Sequence, residues 1–585
     1  MQEITVGIGG AAGDGLDKTG DTLAKTCSRV GLHLFAYNSY QSVIRGGHIW
    51  LRVRIAEEKT LNHGDHLNAV IALNQDTIDR HASDIEEGGV LIFNADKLHV
   101  DEDQLREGVR AVPLSITDLM KPFGRQPAIM QNTVTVGALL YLLQIDFDTA
   151  AEVLEDTFRH KGQAIVETNI GLAKAGYDHT RINQPPIVDG WNFSEKRRAF
   201  LTGNETIALG ALAAGCKFYA AYPMTPASSI LHFLAYYGPK HGVVVKQAED
   251  ELAVVNMAIG AGHAGVRAMC ATSGGGFALM TEAIGLAGMT ETPVVIVEVQ
   301  RGGPSTGLPT KTEQGDLNQV FGASQGEYPR MIVAPTDVVD CFYTTVEAFN
   351  IADKYQCPVT IVSDLYLSEH PETVDPDDLN FDVPIERGEI VSPEVFKENG
   401  AYKRYVDTPS GVSPRAFPGQ EGTVFVAASD EHDERGVLIS DVYTDPPTRR
   451  EMMEKRMRKM DGILREIPPP QLWGPPDADV TLIGWGSTEG VIREAALRLN
   501  DEGISTNHLQ ITYLVPFHAD EIGAILGAAR RTVVVEQNYT AQLARHIRAE
   551  TGYAVQEKIL KYDGEPMEPN YVVEGVLSVL HGVNV

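Results

Sequence analysis

The sequence predicts an α/β protein with several domains in series, and three observations lead to this expectation. The chain has 585 residues, which at about 150 residues per domain suggests about three or four domains. Short apolar runs alternate with helical patterns along most of the chain, as in parallel α/β folds. Fifty-six glycines favour many tight turns between strands and helices. The expected divisions are 1–185, 200–385, a connecting region over 386–470, and 471–585.

The charge of the chain excludes some classes of partner. The sequence has 49 basic and 79 acidic side chains, a net charge of −30. Because phosphates are repelled by an acidic surface, we expect neither nucleic acid nor a membrane as the main partner. No run of about 18 apolar residues predicts a membrane span. The start, MQEITVGIGG, lacks a basic region followed by an apolar core, so we expect no signal peptide and a cytoplasmic protein.

The five cysteines are scattered, and no CxxC pair occurs. Most lie in apolar runs, which predicts buried free thiols. One [4Fe–4S] cluster needs four closely placed thiolates. We therefore expect that any iron–sulfur cluster working with this chain lies on another subunit. The cysteines are Cys27, Cys216, Cys270, Cys341 and Cys357.

The first segment opens with the pattern of a Rossmann-like βαβ unit. An apolar strand over Ile4–Ile8 leads into a glycine-rich turn, Gly7–Gly15, and a helix over Leu16–Val30 and a strand over His33–Ala36 follow. Glycines at such a turn let the backbone approach a phosphate, as in a nucleotide or coenzyme A. Tight packing without a ligand is the alternative. The candidate phosphate-binding residues are Gly9, Gly10, Gly13 and Arg45.

Asn38 bears on which cofactor this segment could bind. The dinucleotide fingerprint wants an acid at the end of the second strand, so Asn38 weakens a prediction of NAD binding. Gly13-Asp14-Gly15 followed by Asn38 also imitates the signature that binds Mg²⁺–thiamine diphosphate. We give this second interpretation little weight, because the residues fall inside the glycine-rich turn.

Further elements continue the α/β alternation. A helix over Glu205–Ala214 is expected, capped by Asn204 and ended by Gly215, and EMMEKRMRKM at 451–460 is expected to form a solvated helix. Residues 183–200 form the expected linker. The other expected elements are strands at Val70–Leu73, Gly89–Phe93, Phe218–Tyr222, Arg267–Thr272, Val294–Val299, Val359–Ser363, Val480–Ile483, Thr506–Leu509 and Thr532–Glu536, and helices at Leu252–Ala261 and Val491–Leu499.

Three loops that follow strands of the second segment are expected to converge, because ligands bind at the carboxyl ends of parallel strands. Two prolines stiffen Tyr222–Pro226 around the Thr225 hydroxyl. The second loop is Thr272–Gly276. In the third, Arg301 offers a planar fork for a carboxylate, and Lys311 adds a second cation. Cations in glycine-rich loops of so acidic a chain favour an anionic substrate; stiff connections and surface salt bridges are the alternatives.

Glu251 is predicted to be a buried acid. It shares one helix face with Val254, Val255 and Ala258 by the i, i+3, i+4, i+7 rule. A carboxylate on such a face is costly unless it meets a partner or holds a proton. An acid that only favours the helix dipole is the alternative. Glu249 is predicted to be solvated.

Taken together, these motifs resemble the thiamine-dependent 2-oxoacid:ferredoxin oxidoreductases, and most closely the α subunit of the 2-oxoglutarate type. Gly7–Gly15 with SYQSVIRGG resembles the γ-type domain, which is fused at the N-terminus in that type. YPMTP, the run from Glu251 to Gly260, TSGGG and QRGGPSTGLPTKTEQGD resemble the pyrimidine-binding domain. GVSPR and EHDE resemble the connecting region, and WGST and VEQN resemble the transketolase C-terminal type of domain.

This resemblance implies a function and roles for particular residues. Glu251 would hydrogen-bond the pyrimidine ring of thiamine diphosphate, and Thr225 and Arg301 would contact a 2-oxoacid that is decarboxylated oxidatively with coenzyme A, or formed in reverse. Pyruvate and branched 2-oxoacids remain alternatives to 2-oxoglutarate. The implied substrate-binding residues are Tyr222, Thr225, Arg301, Ser305, Thr306 and Lys311, and the implied cofactor-binding residues are Glu251, Ser273, Gly274 and Gly275.

The resemblance also implies partners. The diphosphate end of the cofactor, Mg²⁺ and a [4Fe–4S] cluster would belong to a β subunit, in an (αβ)₂ assembly with ferredoxin as electron acceptor. No metal ligands are expected in this chain: Glu431-His432-Asp433 is read as a solvated loop. A nucleotide-dependent dehydrogenase and a non-catalytic scaffold or binding subunit are the alternatives from other classes.

Overall fold

The structure is a computed structural model that describes residues 2–39, 46–391, 402–439 and 444–582. The described residues divide into two compact units, which are treated separately below. The first comprises residues up to Leu201 together with His370–Asp378, and the second comprises Thr202–Glu369 and Leu379 onwards. Within the described residues, no helix is both long and apolar enough to cross a membrane.

The first unit is built around one mixed sheet with strand order β6-β5-β4-β1-β3-β2-β14-β7. Its strands are β1 (Glu3–Ala12), β2 (His33–Ser39), β3 (Gly46–Ala56), β4 (Leu67–Ala72), β5 (Ile85–Asn94), β6 (Arg110–Leu114), β7 (Ala199–Leu201) and β14 (Glu372–Val374). Its helices are α1 (Leu16–Arg29), α2 (Gln75–His81), α3 (Ile116–Met120), α4 (Gln131–Leu142), α5 (Phe147–Phe158) and α6 (Gln163–Asn183). Strands β1, β4, β5 and β6 are parallel, whereas β3 runs antiparallel to both β1 and β2.

The second unit contains two sheets. The strands of the larger sheet, in the order β18-β12-β13-β11-β10-β8-β9, are β8 (Phe218–Ala221), β9 (Val244–Gln247), β10 (Ala268–Thr272), β11 (Val294–Gln300), β12 (Met331–Val333), β13 (Pro358–Asp364) and β18 (Tyr513–Val515). The strands of the smaller sheet, in the order β15-β17-β16-β19-β20, are β15 (Leu472–Trp473), β16 (Val480–Trp485), β17 (Thr506–Ile511), β19 (Thr532–Glu536) and β20 (Glu557–Leu560).

Helices cover these two sheets, and the apolar side chains between the layers form the core. The helices are α7 (Gly203–Ala213), α8 (Ser228–Tyr237), α9 (Glu251–His263), α10 (Gly274–Met289), α11 (Leu317–Phe321), α12 (Val338–Tyr355), α13 (Leu365–Glu369), α14 (Pro446–Glu466), α15 (Glu489–Asp501), α16 (Ala519–Ala528), α17 (Gln542–Thr551) and α18 (Pro569–Leu580). The predicted fold class, α/β with domains in series, is confirmed.

The prediction of a glycine-rich turn at Gly7–Gly15 is mostly wrong, because residues up to Ala12 belong to β1. A Cβ added to Gly7 would lie 2.1 Å from Cη2 of Trp50, and one added to Gly9 would lie 2.3 Å from Cγ2 of Thr77. These glycines therefore make room for large side chains of the same unit. Only the segment after Ala12 turns, with Gly13 at φ +98°.

Two smaller expectations also need correction. Thr202, not Asn204, caps α7: its side chain accepts a hydrogen bond from Glu205 N–H, and the Glu205 side chain bonds back in a capping box. Residues 370–378 lie within the expected range 200–385 but belong to the first unit, because β14 pairs with β2 and β7. The other domain limits stay predictions.

We expected α14 to be a solvated helix, but two of its lysines are buried. Lys455 and Lys459 have no exposed side-chain surface, and both ammonium groups bond the buried Glu291 carboxylate, at 2.5 and 2.6 Å. Although burial alone would raise the pKa of Glu291, the two ammonium groups hold it below its usual range. Burial lowers the pKa of Lys455 to about 8. Lys455 and Lys459 of α14 therefore belong to an internal ion cluster.

Candidate functional site

Three loops meet at one edge of the larger sheet in the second unit. Strand β10 pairs in parallel with β8 on one side and with β11 on the other, so the loops after these strands emerge next to one another. Arg301 Nη1 donates a hydrogen bond of 2.7 Å to the Thr225 carbonyl oxygen, and Thr272 Oγ1 lies 3.8 Å from Met224 Sδ. The structure thus brings together the loops that were expected to converge.

Side chains of α7 and α13 hold the loop that carries Thr225 through hydrogen bonds. Asn204 Nδ2 donates to the Pro226 carbonyl oxygen and to Ser229 Oγ, both at 2.8 Å. Ser229 Oγ in turn donates to Glu369 Oε1 at 2.7 Å. Asn204, predicted to be a helix cap, therefore holds this loop instead. Thr225 is half-buried, whereas Tyr222 at the start of the loop is exposed.

Glu251 is buried, as its helical pattern predicted: only 3% of its surface is exposed, and Val254, Val255 and Ala258 on the same face are fully buried. It is the first residue of α9, whose N-cap Asp250 accepts a hydrogen bond of 2.7 Å from Ala253 N–H. Glu251 Oε1 has no hydrogen-bond donor among the described residues. Because an unsatisfied buried carboxylate oxygen is costly, this atom is suited to accept a proton or a hydrogen bond from a ligand. Glu249 is exposed, as predicted.

The three glycines of the first turn of α10 differ in what lies beside them. A Cβ on Gly276 would lie 2.0 Å from Thr272 Oγ1 and 2.5 Å from Glu251 Oε1, and a Cβ on Gly274 would lie 2.3 Å from Asp316 Oδ2. Gly275 has open space instead, with nothing within 4 Å of its Cβ position. Ser273 Oγ is buried without a partner among the described residues. The first turn of α10 is therefore flanked by two carboxylates and is open at Gly275.

Sequence reasoning missed a buried pair of acids beneath this turn. Glu298 lies in the fully buried β11, directly opposite Thr272 of β10. Burial, together with the nearby Asp316 and Asp364 carboxylates, raises the pKa of Glu298 well above its usual range. Burial also raises the pKa of Asp316, while the interaction with the neighbouring Glu298 and the charge of Arg301 oppose this. A lone acid inside the apolar run VVIVEVQ was the available signal.

The loop from Arg301 to Lys311 is exposed at its tip, where Ser305 and Thr306 lie. Ser305 has a positive φ of +58°. The Lys311 ammonium forms an ion pair with the Glu565 carboxylate. The expected second cation therefore already has an anionic neighbour within the same unit.

The phosphate-binding candidates of the first unit do not form the expected turn. Gly9 and Gly10 lie within β1, where a Cβ on Gly10 would come 2.8 Å from Leu16 Cδ1. Asp14 Oδ2 accepts a 2.8 Å hydrogen bond from Ala11 N–H, so this carboxylate caps its own turn. Gly13 alone has open space around its Cβ position, and Arg45 lies outside the described residues. The dinucleotide-binding alternative loses its main support.

The segment Glu431-His432-Asp433 is not a solvated loop. His432 is fully buried, and Glu431 bonds the guanidinium groups of Arg449 and Arg456. No cluster of three or more metal-ligating side chains occurs in the part of the chain that the structure describes. All five cysteines are buried free thiols, as predicted, and burial raises the pKa of Cys27 to about 12.

Comparison with known proteins identifies the family. Three family models match consecutive parts of the chain: pyruvate ferredoxin/flavodoxin oxidoreductase over residues 5–179, its thiamine diphosphate-binding model over 209–455, and pyruvate:ferredoxin oxidoreductase core domain II over 478–572. The α subunit of a 2-oxoacid:ferredoxin oxidoreductase from Sulfolobus sp. is 31% identical, over 98% of this chain and 96% of its own length. The chain belongs to the 2-oxoacid:ferredoxin oxidoreductase α subunits.

Two further relatives from this thiamine diphosphate-dependent family are named for the substrate 2-oxoglutarate. The 2-oxoglutarate oxidoreductase subunit KorA of Mycobacterium tuberculosis is 30% identical, over 94% of this chain and 87% of its own length. The solved 2-oxoglutarate:ferredoxin oxidoreductase from Magnetococcus marinus has 2-oxoglutarate, coenzyme A and succinyl-CoA bound. Its chain is 32% identical with a TM-score of 0.92, and the match covers 99% of each chain. The predicted membership of the 2-oxoacid:ferredoxin oxidoreductase α subunits is confirmed.

Proposed function

We propose that this α subunit belongs to an enzyme that oxidatively decarboxylates 2-oxoglutarate with coenzyme A. The products are succinyl-CoA, CO₂ and one proton, and two electrons pass singly to two ferredoxin molecules; the same enzyme can run in reverse. The ligands bound to the Magnetococcus marinus relative support this choice of substrate. Pyruvate and branched 2-oxoacids are the competing substrates.

The buried Glu251 carboxylate is the observation on which the proposal rests. Its unpaired Oε1 fits a ligand nitrogen that carries or shares a proton, as the pyrimidine ring of thiamine diphosphate does. When bound, thiamine diphosphate supplies the electron sink for decarboxylation. Glu251 would hold the proton at its oxygen, and Ser273 Oγ, the backbone of Gly274 and the open space at Gly275 would receive the same cofactor.

Arg301 and Thr225 form the proposed substrate end. The bond from Arg301 Nη1 to the Thr225 carbonyl oxygen orients the guanidinium group, and its planar fork suits the carboxylate of a 2-oxoacid. The Thr225 hydroxyl would contact the substrate carbonyl or carboxylate. The exposed Tyr222 and the loop tip at Ser305 and Thr306 would border the substrate end of the site.

A β subunit would complete the enzyme. The helices that begin at the site carry exposed apolar side chains, among them Leu252 and Met257 on α9 and Leu279 on α10. We propose that the partner covers these apolar side chains. The partner would hold the diphosphate end, Mg²⁺ and the [4Fe–4S] cluster, and we propose an (αβ)₂ assembly. Gly13 is the remaining described candidate for coenzyme A.

The test is co-expression with the β subunit, purification of the complex, and dye reduction over a panel of 2-oxoacids with coenzyme A. We expect 2-oxoglutarate to give the highest kcat/KM. Glu251→Gln should abolish turnover but leave the complex assembled, because the amide cannot exchange the proton. Glu249→Gln is the matched control: this exposed acid lies two residues earlier and should leave turnover unchanged.

Two results would count against the proposal. Normal turnover by the Glu251→Gln variant would remove the assigned role of this acid. Preference of the native complex for pyruvate or a branched 2-oxoacid would retain the family chemistry but change the substrate.

A further inference from the structure

The backbone of Lys311 is hydrogen-bonded to Gly302, the residue that follows Arg301. Gly302 N–H donates to the Lys311 carbonyl oxygen at 3.1 Å, and Leu308 N–H donates to the Gly302 carbonyl oxygen at 2.7 Å. These bonds close the exposed loop between residues 303 and 308 at its base. Whatever holds Lys311 therefore also fixes the backbone next to Arg301.

A loop of the smaller sheet lies against this base. The loop Lys561–Glu565 follows β20, and its Lys561 N–H donates to the Glu536 carbonyl oxygen at 3.1 Å. A Cβ on Gly564 would lie 2.9 Å from Leu308 Cδ1 and 3.1 Å from Lys311 Cβ. The Glu565 carboxylate pairs with the Lys311 ammonium, whose side chain is 24% exposed. Both backbone packing and charge thus join the two loops.

We propose that the Lys311–Glu565 ion pair positions Arg301 for the substrate carboxylate, and that Lys311 is a positioning residue and not a ligand of the second carboxylate of 2-oxoglutarate. The proposal rests on the proposed function, since it assumes that Arg301 binds a 2-oxoacid. A second substrate carboxylate at Lys311 would lie close to the Glu565 carboxylate, and like charges repel. The pair acts on every 2-oxoacid alike, because all of them share the carboxylate that Arg301 binds.

Charge reversal separates a positioning role from a ligand role. Lys311→Met and Glu565→Gln should each raise KM by about two- to fivefold, the range expected for a partly exposed ion pair. The rise should be equal for 2-oxoglutarate and pyruvate, with kcat nearly unchanged. The double variant K311E/E565K should return both KM values to within about twofold of the native complex. Asp479→Asn, which removes the exposed Asp479–Arg530 ion pair elsewhere in the same unit, is the control and should change nothing.

The opposite outcomes overturn the proposal. A rise in KM confined to 2-oxoglutarate in Lys311→Met, without rescue by the double variant, would make Lys311 a substrate ligand. Unchanged KM values in both single variants would remove any role for the pair.

A second measurement needs no turnover and so separates this proposal from the proposed function. Amide hydrogen exchange of the full chain should be faster over residues 302–311 in each single variant and native-like in the double variant. Equal exchange in all variants would contradict the ion-pair role even if the complex proved inactive on every 2-oxoacid.

Discussion

The glycine-rich segments Gly7–Gly15 and Thr272–Gly276 look alike in the sequence, since each combines a buried strand with several glycines. Their surroundings differ. In the first, the space left by Gly7 and Gly9 is filled by Trp50 and Thr77 of the same unit. In the second, Gly276 lies against the Glu251 carboxylate and Gly275 faces open space. The neighbour of a missing Cβ therefore distinguishes a packing glycine from one beside reactive groups.

The strongest test of this contrast is Gly276→Ala. The new methyl group would collide with the Thr272 hydroxyl and the Glu251 carboxylate, and both side chains are buried, so the carboxylate must shift and overpacking also lowers stability. We expect turnover of the complex to fall by more than about 100-fold, as for loss of a well-placed proton-transfer group, at a temperature where the variant is still folded. Gly275→Ala is the control for folding, since its methyl group meets nothing. Near-native turnover in Gly276→Ala would show that the Glu251 position is not critical.

Gly7→Ala should lower stability without a specific loss of activity. Here the methyl group meets the buried indole ring of Trp50, which has little room to move, so overpacking should lower the free energy of unfolding by about 1–3 kcal/mol. Chemical denaturation of the purified chain measures this. The KM for the 2-oxoacid should not change, and a selective loss of substrate affinity at native stability would contradict the packing role.

Glu298→Gln probes the acid pair beneath the second segment. Because burial raises the pKa of Glu298 above its unfolded value, the native chain binds the extra proton and loses stability as pH rises above the unfolded pKa. The amide keeps the shape and cannot ionise. Between the pKa of Glu298 in the unfolded chain and its pKa in the native chain, the free energy of unfolding of the variant should rise relative to the native protein. The expected rise is about 1.4 kcal/mol for each pH unit. Urea denaturation between pH 5 and pH 8 measures the trend, and parallel curves for both proteins would contradict it.

The smallest effect is expected for Gly13→Ala, in the short turn that remains of the first segment. Nothing lies near the new methyl group, so the cost comes from φ +98° alone, about 1 kcal/mol of unfolding free energy. A denaturation curve measures it. The KM for coenzyme A in the complex then tests whether this turn contributes to a phosphate site, and an unchanged value would remove Gly13 as a candidate.

Sequence patterns correctly predicted those features, such as helix faces and buried strands, that are decided by residues close to one another in the chain. The spacing of Glu251, Val254, Val255 and Ala258 sufficed to predict a buried acid, because one helix turn decides which residues share a face. Most strands were also found close to their expected bounds, since buried parallel strands appear as short apolar runs.

The errors arose where distant residues decide the structure. The lysines of α14 appear solvated in the sequence because their partner, Glu291, lies more than 160 residues away. Gly7 appears to belong to a turn because the indole ring that needs its space comes from β3. The Glu298–Asp316 pair was missed for the same reason, since burial and a second acid become visible only after folding.

The ion cluster around Glu291 limits how segments can be exchanged between relatives. Glu291 follows the end of α10, the helix that begins beside Glu251, and at 16 residues this helix is about 24 Å long. A hybrid protein that took α14 from another parent would have to inherit the acid at 291 and both lysines together. Otherwise an uncompensated charge would remain inside the protein, at the far end of the helix that begins in the candidate site.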